Sequence, residues 1–146
     1  MAISALAHTC FTVSDMEASL TFWTGPLGFE LWTRDPWTSE PLQRSVGRPG
    51  IAMDIAILRG HGYEVELIAC ATTSGSAFEL QPERPGASHM AFLCDDIEAT
   101  TRELVEAGAT AQGEIAWIDD DPKQACWAVY LRDPSGIILE LIQLPA

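Results

Sequence analysis

The chain has 146 residues, 47% of them hydrophobic, which suits one domain or two small modules sharing a core and does not suit a disordered chain. Its formal net charge is -13 and it holds a single lysine, Lys123, which argues against nucleic acid or an anionic membrane as a partner. No apolar run reaches membrane-spanning length, and the N-terminus lacks the basic and apolar regions of a signal peptide, so a cytoplasmic protein is expected.

Residues 3–13 are apolar and Thr-rich and read as a strand carrying His8. Ser14 or Asp15 is placed to cap a helix over 16–23, where Met16, Leu20 and Trp23 fall at helical spacing and Gly25-Pro26 ends it. A short strand is expected over 29–34, then a loop over 35–49 in which Arg44 and Arg48 read as a solvated face. Residues 51–58 and 63–70 form a strand pair across the turn Arg59-Gly60-His61-Gly62, with His61 solvated at its tip. The returning strand carries Glu64 and Glu66. Glu66 shares a face with Glu64 and Ile68, while Val65 and Leu67 point the other way.

Residues 73–86 are polar, hold two prolines and read as a linker. A strand with His89 follows over 87–94, then a helix over 97–107 capped by Asp95-Asp96 and ended by Gly108. A strand is expected over 110–117, an exposed acidic loop at Asp119-Asp120-Asp121, and a closing strand pair over 125–131 and 137–144. Asp133-Pro134-Ser135-Gly136 is the turn between that pair, with Pro134 presetting φ and Gly136 tolerating φ > 0. Within the last strand, Glu140 is the one charge, and a lone buried carboxylate is costly unless paired, protonated or bound to a metal. The four cysteines, Cys10, Cys70, Cys94 and Cys126, form no C-x-x-C pair and read as reduced, mostly buried thiols. Trp32, Trp37, Trp117 and Trp127 read either as pocket lining or as core and interface packing.

The halves repeat each other: His8 precedes the helix-starting Asp15 by seven residues, and His89 precedes Asp96 by the same interval. Each half reads β-α-β-β-β, with a His on its first strand and a Glu on its last. The expected organisation is a first module over 1–72, the linker over 73–86 and a second module over 87–146, packed as one pseudo-symmetric α+β domain. His8, Glu66, His89 and Glu140 are then equivalent positions, and two imidazoles with two carboxylates suit a divalent transition metal.

The stretches His8 to Asp15, Phe22-Trp23 through Leu27-Gly28-Phe29, Val65-Glu66-Leu67, Ser88 to Asp96 and Asp133 to Leu141 resemble the vicinal oxygen chelate superfamily. That superfamily includes glyoxalase I, methylmalonyl-CoA epimerase, extradiol dioxygenases and the fosfomycin and bleomycin resistance proteins. The resemblance implies paired βαβββ modules with curved mixed sheets around a metal-binding cavity, one divalent ion (Ni, Co, Zn, Mn or Fe), a small-molecule substrate and a homodimer. It maps the metal positions onto His8, Glu66, His89 and Glu140. It implies proton transfer through an enolate-like intermediate, a lyase or isomerase reaction, with Glu140 or Glu66 as the base. Asp54, among Ile51, Met53, Ile55 and Ile57, is the position nearest to the separate acid of the epimerases. An Fe(II) extradiol-type dioxygenase, using His8, His89 and Glu140, and a non-catalytic binding or resistance protein are the alternatives.

Overall fold

The computed structural model describes residues 3–71, 80–120 and 123–145. It divides into two units, Met1–Ser76 and Ala77–Ala146, each with its own mixed sheet. The residues at the division, and the first part of the expected linker, lie outside the described residues.

In the first unit β1 (Thr9–Thr12) leads through α1 (Met16–Thr24) to β2 (Glu30–Trp37), α2 (Glu40–Val46), β3 (Met53–Gly60) and β4 (Tyr63–Cys70). The sheet order is β1-β4-β3-β2, parallel between β1 and β4 and antiparallel elsewhere. The helix starts where Asp15 accepts a hydrogen bond from the Ala18 N–H at 3.0 Å, satisfying one of the orphan donors of the first turn. Its apolar side packs down on alternate strand residues. Trp23 is fully buried, with its ring 5.7 Å from that of Phe11 and 5.5 Å from that of Phe29, over a layer that includes Leu58, Val65 and Leu67. Alternation then turns Glu66 to the opposite face of the sheet, as its spacing predicts.

The second unit repeats the plan: β5 (His89–Leu93), α3 (Ile97–Glu106), β6 (Thr110–Ala111), β7 (Ala116–Ile118), β8 (Cys126–Arg132) and β9 (Ile138–Gln143). The order is β5-β9-β8-β6, with β7 also paired to β8. Asp96 caps α3 through the Ala99 N–H at 2.9 Å, the counterpart of Asp15. Leu131, Leu139 and Leu141 are fully buried with Leu104 of α3, again leaving the Glu strand's other face to Glu140. The Asp133 carboxylate ties the closing turn by accepting from the Ser135 and Ile137 N–H groups at 2.8 and 2.9 Å.

Four expectations change. The first strand is shorter than 3–13: its ladder begins only at Thr9, so His8 stands at its entrance. Instead of ending at 34, β2 runs on through Pro36, which is tolerated because β2 is an edge strand with no ladder N–H required there. The expected loop over 35–49 contains α2, capped by Ser39 and closed by Gly47 at φ 70°. The strand expected over 110–117 is split, because the N–H groups of Gln112 and Gly113 both turn to the Tyr130 carbonyl, at 2.9 and 3.4 Å.

Candidate metal and substrate site

Each sheet presents one His–Glu pair. In the first unit the His8 imidazole Nε2 lies 3.8 Å from the Glu66 carboxylate, and in the second the His89 Nε2 lies 3.1 Å from that of Glu140. The strand register explains the match. Cys10 pairs with Glu66 and Ala91 with Glu140 in the two parallel ladders, so each His stands two residues ahead of the position facing its Glu, on the same face. The carboxylates are 14% and 17% exposed and the imidazoles 39% and 44%, so each acceptor is set into the sheet while its imidazole stays accessible. Among the described residues no group of three or more His, Cys, Asp and Glu side chains gathers to hold a metal ion.

The carboxylates meet different neighbours. Tyr130 of β8 lies directly across from Glu140 and hydrogen-bonds it, and its ring stands edge-on to His89 with centroids 5.3 Å apart. Burial, then the Glu140 charge, pushes the Tyr130 phenol up, so it is held as a donor. The matching position in the first unit is Ile57, and there the donor to Glu66 comes from the other side, from the Cys10 thiol. Only Cys126 of the four cysteines is buried, against expectation, and Cys10 is exposed as a residue; partial burial of its sulfur, then the Glu66 charge, still pushes the Cys10 thiol up to about 12. Sequence reading missed Tyr130. The signal was available, since the Asp-Pro-Ser-Gly turn fixes the register that sets Tyr130 against Glu140.

Other expected residues fall elsewhere. Asp54 lies on the α1 side of its sheet, opposite in alternation to Glu66. It is held by Arg34, whose Nε donates to both Asp54 oxygens at 3.1 Å and whose Nη2 donates at 2.6 Å, with Nη1 reaching Glu17. That charge-assisted fork removes the lone-acid environment that its sequence neighbours suggest. His61 is exposed at its turn, as expected, and at φ 54° its Nε2 also lies 2.8 Å from the Leu27 carbonyl while its ring packs edge-on to Phe29. Arg44 pairs with Glu40 one helical turn away, on the exposed face of α2. Trp32, Trp37, Trp117 and Trp127 are all more than two-fifths exposed, so none of them is core; Trp117 and Trp127 pack edge-on against each other. Asp119 and Asp120 are exposed, and Asp121 lies outside the described residues.

This duplicated strand register, with a His–Glu pair in each copy, marks out one class of protein. Residues 5–141 match the family model of the Glyoxalase/Bleomycin resistance protein/Dioxygenase superfamily, and the chain belongs to that superfamily. A 2-epi-5-epi-valiolone epimerase from Actinomyces sp. is 29% identical over 150 residues, spanning 97% of this chain and 80% of the relative. Among solved structures, a glyoxalase family protein from Bacillus cereus aligns over 98% of this chain and 95% of its own, with TM-score 0.84 and 19% identity. The fosfomycin resistance protein FosX from Listeria monocytogenes aligns over 99% and 96%, with TM-score 0.67 and 15% identity. A FosX variant, solved with Mn(II) and 1S,2S-dihydroxypropylphosphonic acid, aligns over 97% and 90%, with TM-score 0.64 and 14% identity. At these identities the structures share the fold. No helix among the described residues is long and apolar enough to cross a membrane.

Proposed function

We propose that this protein is a divalent-metal-dependent isomerase of the epimerase type, moving a proton at a carbon next to a carbonyl. The observation that carries the reading is the duplicated pair, His8 with Glu66 and His89 with Glu140, at one register in both sheets. The likeness to the valiolone epimerase supports isomerase over lyase chemistry. Two imidazoles and two carboxylates fit the donor preferences of Mn, Co, Ni or Zn, and we assign these residues as the metal ligands. When bound, such an ion supplies Lewis-acid polarisation of a substrate carbonyl.

The remaining work belongs to the chain. Glu66 and Glu140 are the carboxylates placed to take and return the proton. Tyr130, donating to Glu140, orients that carboxylate and lies close enough to His89 to fix its ring plane. Asp54 is committed to Arg34 and takes no part. The superfamily pattern also leads us to assign a homodimer as the working form.

Incubating the manganese-loaded protein with 2-epi-5-epi-valiolone in D2O tests the reading. Deuterium should appear at the carbon next to the carbonyl, and Glu66→Gln or Glu140→Gln should slow its appearance by about a hundredfold or more. A second reading, an Fe(II) dioxygenase, is favoured by the phenol of Tyr130 beside the His89–Glu140 pair. Oxygen uptake with a catechol by the iron-loaded protein, without deuterium exchange, would replace the first reading with the second.

A further inference from the structure

On the face that carries Glu66, a second constellation lies one strand over. Arg59 of β3 and Glu64 of β4 are directly paired in the ladder, and Arg59 Nε donates to Glu64 Oε2 at 3.0 Å. The guanidinium carbon sits 3.4 Å over the Trp32 ring, whose residue occupies the irregularity of β2 between Leu31 and Thr33. Trp32 is 56% exposed, so this bulge presents an indole that the core does not claim. A cavity of about 370 Å³ is lined by Ala7, Arg59, Gly60, Gly62, Tyr63 and Glu64. An adjoining one of about 240 Å³ shares Ala7, Gly62, Tyr63 and Glu64 and reaches His8. The two hollows therefore run along one end of the sheet from the guanidinium to the imidazole.

The hydrogen-bond inventory decides what fits there. Among the described residues only Glu64 hydrogen-bonds the Arg59 guanidinium, and it uses Nε alone. The outer Nη groups keep their N–H donors, while Glu64 Oε1 keeps its acceptor lone pairs. Stacking on Trp32 and the Glu64 bond hold the fork in place, so little side-chain entropy is lost when it is used. An oxyanion meets opposed forces here. The Arg59 attraction and the Glu64 repulsion act from adjacent side chains and largely cancel. Glu30, across the ladder from Arg59, and the net charge of -13 add to the repulsion. A hydroxyl, which both donates and accepts, uses each partner without that cost.

We propose that Arg59, Glu64 and Trp32 form a subsite for vicinal hydroxyl groups of an uncharged polyol, at the His8 end of the first sheet. The assignment rests on the isomerase reading for its role, because it names the substrate class: a polyhydroxylated carbonyl compound, not a phosphorylated or thioester-linked one. Arg59 and Glu64 are thus specificity-determining residues that hold the substrate's hydroxyl edge beside the proton-transfer site.

The test uses NMR of the 15N-labelled full chain, following the Trp32 indole and Arg59 Nε–H signals, assigned through Trp32→Phe and Arg59→Lys. The probes are myo-inositol and inorganic phosphate, and the same samples are assayed for manganese uptake. Inositol should shift both signals saturably in the wild type while phosphate does not. Arg59→Lys, which keeps the charge and loses the fork, should weaken inositol about tenfold, the loss of one good hydrogen bond. Glu64→Gln should keep inositol binding within a few fold and admit phosphate. Phosphate binding to the wild type more tightly than inositol, or an inositol response unchanged in Arg59→Lys, would overturn the subsite. A wild type that takes up manganese without any inositol response would overturn it too, and would leave the metal reading standing. Loss of manganese uptake with an intact inositol response would instead overturn the metal reading alone.

Discussion

Glu66 and Glu140 occupy the same place in two copies of one sheet, yet a thiol serves the first and a phenol the second. The difference is open to measurement at Cys10. Its pKa of about 12 lies above the ordinary thiol value, so at pH 8 the thiolate fraction of the metal-free protein is smaller than that of a free cysteine by roughly a thousandfold. Iodoacetamide should therefore label Cys10 far more slowly than it labels a small free thiol, and faster only as the pH climbs toward 12. Peptide mapping by mass spectrometry reads this directly, and rapid labelling at pH 8 would show that burial and the Glu66 charge do not hold the thiol protonated. Asp54 gives the opposite kind of prediction. Because the Arg34 fork holds it on the helix side of the sheet, Asp54→Asn should leave metal content and turnover unchanged. Its cost in stability should be at most about 1 kcal/mol, since Arg34, Asp54 and Glu17 are all partly in water. A loss of turnover with normal metal content would return Asp54 to the site.

At the scale of elements, the fold repeats a local signal. Asp15 and Asp96 each cap a helix through the N–H three residues on, and each helix covers the face of the sheet opposite the Glu. Asp15→Ala and Asp96→Ala should each destabilise by about 1 kcal/mol in urea unfolding, and a cost near zero in either would mean that its helix start is held by packing alone. The caps, both Glu strands and the Asp-Pro-Ser-Gly turn were legible in the sequence because each depends on residues within a few positions of one another. The α2 helix was not. Residues 35–49 are dense in Pro, Ser and Arg, its seven-residue helix has no buried face, and its start rests on one Ser39 cap at 3.4 Å. Nor was the break after Ala111, which follows from two N–H groups competing for one Tyr130 carbonyl. A histidine between glycines was legible as an exposed turn residue, and only the folded chain brings Leu27 and Phe29 against it.

For the whole molecule, duplication is the organising fact. Spacing alone showed a His and a Glu in each half, and the structure shows why: one parallel ladder, repeated, puts each His two residues ahead of its Glu on one face. The neighbours that individualise the pairs, Tyr130 on one side and the Arg59–Glu64–Trp32 group on the other, come from strands β8, β3 and β2. Their alignment depends on register and a bulge, not on composition. Activity on this scaffold therefore follows from the residues grafted on it and not from the fold. The account stands or falls on the proposed metal ligation by His8, Glu66, His89 and Glu140. Elemental analysis of protein purified without chelator or affinity metal, comparing the wild type with the His8→Ala, His89→Ala double variant, tests that claim most directly. The account predicts about one Mn, Co, Ni or Zn per chain in the wild type, lost in the variant while the fold persists. Equal metal content in the two proteins, or none in the wild type after reconstitution, would contradict it.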